Sequence, residues 1–256
     1  MASNTKPLMG RTALITGSGR NIGRAIALAY AEAGCNVIVN GHANAAAVDA
    51  VAAEARALGV EALAIMADIS KVEDVQRMVR QAEEEVGGID IAISNVGTRD
   101  TRPFLDITPE LWHHILDTNL SSAFYLAQAV LPGMKARGWG RIIHMAGRTA
   151  FYPKEERAHV ASSKAALHAL AKVLALEFGP FGITANTIAP GVIDTERSNT
   201  THPGYAEEFA RRTKHVPVRR LGHVDDITNL CMYLAGEGSG YVTGQVLHIN
   251  GGEFMS

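Results

Sequence analysis

Cysteine and long apolar runs are both scarce in this 256-residue chain. Its only cysteines, Cys35 and Cys231, lie far apart among apolar neighbours. This pattern favours buried, reduced thiols over a disulfide, and hence a cytoplasmic protein. No apolar run reaches the roughly 18 residues that a membrane-spanning helix needs, and residues 1–9 lack the apolar core of a signal peptide. We therefore expect neither a membrane anchor nor secretion by that route.

A strong excess of charge and a metal-binding pattern are also missing. The 24 Lys and Arg residues nearly balance the 26 Asp and Glu residues, which gives a formal net charge of −2. No bulk cationic field is therefore available to bind nucleic acid or an anionic membrane. No spacing of Cys and His residues matches a zinc motif, so no metal site is predicted. These absences leave a small-molecule substrate as the default expectation.

What the chain does contain is a regular alternation of short β-type runs and longer helical patterns. Strands are predicted at 12–16, 36–40, 61–66, 89–94, 141–145, 183–188 and 245–249, and helices near 20–33, 44–58, 71–86, 108–133, 157–179 and 223–235. The strands are apolar nearly throughout, as expected where helices cover both faces of a parallel sheet. We predict an α/β fold: one Rossmann-type domain over residues 1–256, with a doubly wound, parallel, seven-stranded sheet.

Residues 194–217 lie between two sheet-building regions and are rich in Thr, His, Arg and Glu. Polar segments in such places often close over a ligand, so a substrate lid is predicted there. A plain surface excursion is the alternative.

A glycine-rich turn lies between the first predicted strand and the first helix, in Thr16-Gly17-Ser18-Gly19-Arg20-Asn21-Ile22-Gly23. Backbone N–H groups at the start of a helix bind anions, and small residues let a pyrophosphate approach. The turn therefore predicts a dinucleotide-binding site, with an ordinary βα turn as the alternative. Asn21 stands where the usual pattern has its middle glycine. Because asparagine tolerates positive φ better than most residues, we expect an intact but slightly altered turn.

Further motifs make the chain resemble the short-chain dehydrogenase/reductase family, of the 3-oxoacyl-(acyl-carrier-protein) reductase-like subgroup, over essentially its whole length. The motifs are the turn, Asp68-Ile69, Ser94-Asn95-Val96-Gly97, Asn119, Lys164, Pro190-Gly191 and Val242-Thr243-Gly244-Gln245. The resemblance implies an NAD(P)(H)-dependent oxidoreductase that acts on a carbonyl or alcohol, and a homotetramer. The turn and the resemblance together predict cofactor contacts from Gly17, Gly19, Arg20, Asn21, Ile22, Gly23, Gly41, His42, Asp68, Ile69, Asn95, Val96, Gly97, Lys164, Pro190, Gly191, Ile193 and Thr195.

The choice of cofactor follows from the end of the second strand. An NAD site generally has a carboxylate there to accept hydrogen bonds from the adenosine ribose, whereas a 2′-phosphate repels a carboxylate and attracts cations. The resemblance places this acidic position on Gly41, with His42 next to it and Arg20 in the turn. We therefore expect a preference for NADP(H), with NAD(H) as the alternative.

The resemblance also implies a catalytic set of four residue types. A tyrosine protonates the developing alkoxide, a lysine lowers the pKa of that tyrosine, a serine binds the substrate oxygen, and an asparagine holds a proton path. Lys164 and Asn119 fill two of these roles. Counting four residues back from Lys164 puts the tyrosine position on Val160, and 13 residues earlier the serine position falls on Gly147. Both substrate-facing hydroxyl groups are therefore missing.

Other side chains could replace the missing donors. Lys164, Asn119, Tyr152 and Arg148 are the predicted catalytic residues, although Tyr152 has aromatic packing, and Arg148 solvation, as the alternative. His144 is interpreted as a core or supporting histidine. Three functions stay open: an oxidoreductase with a rebuilt acid/base site, which we favour, a non-catalytic cofactor-binding subunit of a heteromeric partner, or non-redox chemistry in the same pocket.

Overall fold

The computed structural model describes residues 6–195, 211 and 213–255. The strands are β1 Thr12–Ile15, β2 Asn36–Gly41, β3 Ala62–Met66, β4 Ile91–Ser94, β5 Gly140–Met145, β6 Ile183–Pro190 and β7 Val246–Ile249. The helices are α1 Asn21–Glu32, α2 Ala45–Ala57, α3 Val72–Val86, α4 Pro109–Leu116, α5 Ser122–Arg137, α6 Ala158–Phe178 and α7 Val224–Ala235. A π-helical turn, Asp117–Ser121, joins α4 to α5, and short 3-10 turns occupy Phe104–Asp106, Arg148–Ala150, Gly179–Phe181 and Glu237–Ser239.

All seven strands are parallel and follow the order β3-β2-β1-β4-β5-β6-β7. The order reverses between β1 and β4, which makes the crevice at their carboxyl ends the expected ligand site of an open α/β sheet. The predicted doubly wound Rossmann-type sheet is confirmed. The predicted strand ends differ from the observed ends by no more than two residues.

Two apolar layers hold the helices against the sheet. On one face, residues such as Ile15 and Val37 pack against Ile26 of α1 and Cys231 of α7. On the other, residues such as Leu14 pack among the side chains of α3, α5 and α6. Both cysteines are buried free thiols, as expected. Within the described ranges, no helix combines the length and apolar character needed to cross a membrane.

The single helix predicted near 108–133 is wrong, because the structure divides it. Thr108 caps α4 by accepting a hydrogen bond from the backbone N–H of Leu111, and Pro109 occupies its first turn. The π turn then widens the chain around Asn119. Buried residues of α5 carry that helix past Pro132 to Gly138, whose positive φ of 67° ends it.

The structure describes only part of the predicted lid. Residues 196–210 and 212 lie outside the described residues, so the lid over 194–217 stays a prediction.

Candidate functional site

The glycine-rich turn after β1 is a tightly packed cradle. A Cβ on Gly17 would lie 2.7 Å from Val96 Cγ2, and a Cβ on Gly23 would lie 2.5 Å from the Gly17 carbonyl oxygen. Gly17 has φ 64° and Asn21 has φ 51°, as predicted for the altered position. The backbone can therefore approach a pyrophosphate here only because these positions lack bulk.

Side-chain hydrogen bonds tie the cradle to the two neighbouring strands. The Ser18 hydroxyl donates to the Ile15 carbonyl at 2.7 Å and accepts from the Asn40 backbone N–H at 3.0 Å. Asn95, just after β4, donates through Nδ2 to the carbonyl oxygens of Thr16 and Gly17 at 3.0 and 3.3 Å. These hydrogen bonds join the loops at the switch point to one another.

The predicted adenosine end of the site contains a position without a side chain. A Cβ on Gly41 would lie 2.5 Å from Val48 Cγ2, so a carboxylate there would require Val48 to move. Arg20 and His42 are both exposed beside it. Asp68 accepts hydrogen bonds from the backbone N–H and hydroxyl of Ser70 at 3.0 and 2.7 Å. Partial burial acts against ionisation, but these bonds and then the charge of His42 lower the pKa of Asp68.

A groove of about 830 Å³ runs from the cradle along α2 to the segment after β6. It is lined by Gly19, Arg20, Asn21, Arg24, Ala25, Ala47, Ala50, Val51, Glu54, Asp194, Thr195, His223 and Val224. On the opposite side of the switch point, Gly191 follows Pro190. Its lack of a side chain lets the backbone of Asn250 approach closely, since a Cβ on Gly191 would lie 2.7 Å from Asn250 Cα. Ile193 is buried after β6, and Ile69 is buried at the other edge of the sheet, after β3. Ile22 in α1 is partly buried.

Lys164 and Asn119 meet beside Gly97. The Lys164 ammonium is buried and donates to the Met145 carbonyl at 2.8 Å. A Cβ on Gly97 would lie 2.8 Å from Lys164 Nζ, so the glycine makes room for the lysine. Asn119 accepts from the Thr98 backbone N–H at 2.7 Å and donates to its carbonyl at 3.0 Å. Burial and then the nearby charge of Arg99 lower the pKa of Lys164 to about 7.

The two positions at which the family resemblance predicts hydroxyl groups, Val160 and Gly147, differ in their backbone conformation. Val160 is buried in the first turn of α6, one turn before Lys164. Gly147 has φ 147° and ψ 166°, a conformation that side-chain-bearing residues rarely adopt, although a Cβ there would meet no atom within 4 Å. The nearby Ser163 hydroxyl is already used, because it donates to the Val160 carbonyl and accepts from Asn119.

The other predicted catalytic residues are arranged differently from Lys164 and Asn119. Tyr152 is 61% exposed. Arg148 forms an ion pair with Glu253 of the C-terminal segment, and its guanidinium lies 5.9 Å from the centre of the Tyr152 ring. The cation of Arg148 is therefore compensated in this conformation.

Sequence reasoning missed one feature near this site, the contact between His159 and Asp100. His159 is fully buried, and its Nε2 lies 3.3 Å from Asp100 Oδ2. These residues are 59 positions apart, and no local pattern indicates that they meet. His144 is also fully buried, and no described residue forms a hydrogen bond with either of its ring nitrogens. No group of His, Cys, Asp and Glu side chains in the described part of the chain could hold a metal ion.

Known proteins share both this sheet and its turns. A family model described as enoyl-(acyl carrier protein) reductase matches residues 17–253. The 3-oxoacyl-(acyl-carrier-protein) reductase FabG of Staphylococcus epidermidis is 33% identical over 247 residues, which cover 96% of this chain and 100% of that protein. The chain belongs to the short-chain dehydrogenase/reductase family. Members of this family are oxidoreductases with a nicotinamide cofactor, and the predicted family resemblance is confirmed.

Two further relatives of this short-chain dehydrogenase/reductase agree with the assignment. The acetoacetyl-CoA reductase of Allochromatium vinosum is 34% identical over 248 residues, with 96% of this chain and 100% of that protein covered. The crystal structure of a short-chain type dehydrogenase/reductase from Mycobacterium marinum has a TM-score of 0.88 and 35% identity, and covers 99% of both chains.

Proposed function

We propose that this protein is an NAD(P)(H)-dependent oxidoreductase that acts on a carbonyl or alcohol substrate through an acid/base site without the family's tyrosine and serine. The observation that carries the proposal is the arrangement of Lys164, Asn119 and Gly97 next to a preserved glycine cradle. When bound, the nicotinamide supplies or accepts the hydride. Reduction of a carbonyl leaves charge on oxygen, so a proton source must lie within hydrogen-bond reach.

Lys164 is the residue best arranged to supply that proton. Its pKa of about 7 means that the ammonium and the amine are both populated near neutral pH, which is the condition for efficient proton transfer. In the reduction direction an N–H bond of the ammonium breaks, the proton passes to the substrate oxygen, and the electron pair stays on nitrogen as a neutral amine that solvent reprotonates. Tyr152 and Arg148 stay candidates, but exposure and the Glu253 ion pair make them weaker ones.

The proposed cofactor is NADP(H), with NAD(H) as the alternative. Val48 occupies the space that an acidic side chain at Gly41 would need, and the exposed side chains of Arg20 and His42 are the proposed partners of a 2′-phosphate. The residues proposed to hold the cofactor are those of the cradle, Gly41 and His42, Asp68 and Ile69, Asn95 to Gly97, Lys164, Pro190, Gly191, Ile193 and Thr195. Fluorescence titration of the purified protein with NADPH and NADH tests this assignment. We expect tighter binding of NADPH, whereas no binding of either below millimolar concentration would contradict it.

A cofactor-binding subunit without catalysis is the second candidate. The backbone conformation of Gly147 favours this candidate. A serine rarely adopts that conformation, so the loop differs from the family pattern in its backbone as well as in one side chain.

A carbonyl panel that includes acetoacetyl-CoA, followed at 340 nm, separates the two candidates. Wild type is compared with Val160→Tyr and with Val160→Tyr combined with Gly147→Ser. We expect turnover by wild type. Activity that appears only in the variants would favour the non-catalytic subunit instead.

We also propose a cytoplasmic homotetramer. The buried free thiols fit a reducing compartment. Phe124 of α5 and Val173 and Leu176 of α6 are exposed apolar residues, with Leu176 at 82%, which supports contact between copies. Sedimentation analysis tests the assembly, and a monomer at micromolar concentration would contradict it.

A further inference from the structure

His144 is a fully buried histidine that the proposed function leaves unused. It lies on β5, one residue before Met145, whose carbonyl accepts the Lys164 hydrogen bond. Neither of its ring nitrogens has a hydrogen-bond partner in the described part of the chain. A neutral imidazole carries one N–H donor and one acceptor, and to leave both unpaired in a core reduces stability. An unpaired buried group of this kind points to a role other than packing.

The neighbours of His144 place it beneath the turn of α6 that carries Lys164. In the sheet, His144 is in register with Ser94 of β4 and Thr187 of β6, so these three side chains point to the same face. The Thr187 hydroxyl donates to the carbonyl of Leu167 in α6 at 3.3 Å. This face is therefore the one that α6 covers, and the imidazole lies below the lysine.

Few charged groups act on these two residues. Burial and then the charge of Lys164 lower the pKa of His144 to about 4, so its ring is neutral at pH 7. The charge that acts on Lys164 is Arg99, in the loop after β4. Among residues 6–195, 211 and 213–255, no carboxylate contributes to either pKa. Ser94 and Thr187, which flank the imidazole in the sheet, are uncharged. The imidazole is thus a neutral polar group close to a buried amine.

We propose that His144 is a positioning residue for the proton step: its unpaired imidazole, beneath the Lys164 turn, stabilises the ammonium form of that lysine. This inference rests on the proposed function, which gives Lys164 the proton. A neutral imidazole is a polar group, and its interaction with a nearby charge is strongest where water is excluded. Without the imidazole, the amine lies in a more apolar environment that disfavours its charged form.

The proposal predicts that the variant His144→Leu changes both the stability of the protein and the ionisation of Lys164. Leucine removes two unpaired polar atoms, so the variant is expected to be at least as stable as wild type. If His144 has a packing role alone, its replacement by leucine gives that gain in stability and nothing else. If His144 is a positioning residue, the replacement also changes the ionisation of Lys164.

The ionisation of Lys164 can be followed without cofactor or substrate. Protein labelled with ¹³C,¹⁵N-lysine is titrated by NMR through the Cε and Nζ shifts, and the Lys164 signal is assigned with Lys164→Arg. We expect His144→Leu to lower the Lys164 midpoint by about one pH unit, a tenfold change in its ionisation constant. His144→Asn, which keeps a donor and an acceptor, is expected to restore most of the shift. Ile142→Val, which changes packing two residues earlier on the same face of β5, serves as the matched control.

An unchanged Lys164 midpoint in His144→Leu, or an equal shift in Ile142→Val, overturns the proposal. If His144→Leu does not fold, His144→Met provides the same comparison. Because the titration needs no turnover, its failure is distinct from that of the proposed function: a shifted midpoint without hydride transfer supports the coupling and refutes the function. In an active enzyme, the alkaline fall in the reduction rate is expected to move to lower pH with the midpoint. A shifted midpoint with an unmoved rate profile assigns the proton to another group and overturns the proposal.

Discussion

Val160 and Gly147 stand at the two positions where the family resemblance predicts a tyrosine and a serine, and their backbones differ. Val160 has helical geometry, which a tyrosine can adopt without strain. Gly147 has a conformation that is essentially restricted to glycine. To restore the tyrosine, only a side chain has to change, whereas a serine at Gly147 requires the backbone to move as well. The loss of the serine is therefore built into the loop after β5.

Replacement of Gly147 measures this constraint directly. Gly147→Ala is expected to lower the free energy of unfolding by about 1–3 kcal/mol, because the conformation and not the available space opposes a Cβ. Gly238→Ala is the matched control, since Gly238 lies in the 3-10 turn Glu237–Ser239 outside the positive-φ region and also has no atom within 4 Å of a built Cβ. That change is expected to be neutral or to stabilise by up to about 1 kcal/mol. Urea unfolding gives both values, and equal effects of the two changes would contradict the assignment.

For single residues, the sequence predicts backbone conformation that depends on neighbouring residues, but it does not predict contacts between residues far apart in the chain. The positive φ of Asn21 follows from its place in a glycine-rich turn, and the sequence predicts it. The contact between His159 and Asp100 depends on how α6 packs against the loop after β4.

Among the elements, the sheet and most helices follow from periodicity because each strand is a short apolar run with a helix on either side. The division between α4 and α5 does not follow from the periodicity of the sequence. The widened turn at Asn119 is fixed by hydrogen bonds to Thr98 and Ser163, which belong to other elements. π turns of this kind often occur at functional sites. The pairing of the loop after β5 with the C-terminal segment through Arg148 and Glu253 is likewise a tertiary feature.

The ion pair of Arg148 and Glu253 is expected to hold these two segments together. Glu253→Gln leaves a guanidinium that is only 18% exposed without its counter-charge, so we expect a loss of about 1–3 kcal/mol in the free energy of unfolding. Glu54→Gln breaks the pair of Arg24 and Glu54, whose side chains are 43% and 46% exposed, and should cost less than about 1 kcal/mol. Thermal and urea unfolding of both variants provide the comparison. A Glu253→Gln protein as stable as wild type would show that the two segments do not depend on the pair.

For the whole molecule, the strand order places the loops after β1 and β4 at one crevice, and β5 and α6 add Lys164 to the same edge. The glycine-rich turn and Lys164 therefore lie at the same edge of the sheet. The fold class is confirmed by the sheet and by the relatives, but the fold alone does not decide which chemistry the site performs.

One fully buried histidine, His144, and one half-buried histidine, His168, are expected to make the molecule sensitive to acid. Burial lowers the pKa of His144 and of His168 to about 4, in the case of His168 with help from the charges of His248 and Lys172. Between about pH 6.5 and pH 4 the unfolded chain binds more protons than the folded chain, so stability is complete above this window and falls as pH decreases through it. Urea midpoints measured across this range are expected to fall, and to fall less in His144→Leu combined with His168→Leu.

The exposed His114 provides the control for this pH dependence. His114→Gln should leave the slope as in wild type. An equal slope in wild type and in the double variant would contradict the role given to His144 and His168.

The central claim is that hydride transfer occurs at this site with Lys164 as the proton source. The measurement that tests it most directly is a single-turnover assay at 340 nm, with saturating NADPH and a carbonyl substrate. Wild type is compared with Lys164→Met and with Lys172→Met, which removes an exposed lysine from the same helix. We predict that Lys164→Met lowers the rate by about 10²- to 10⁴-fold and that Lys172→Met leaves it unchanged. A Lys164→Met protein that reduces the substrate at the wild-type rate with NADPH bound would contradict the account.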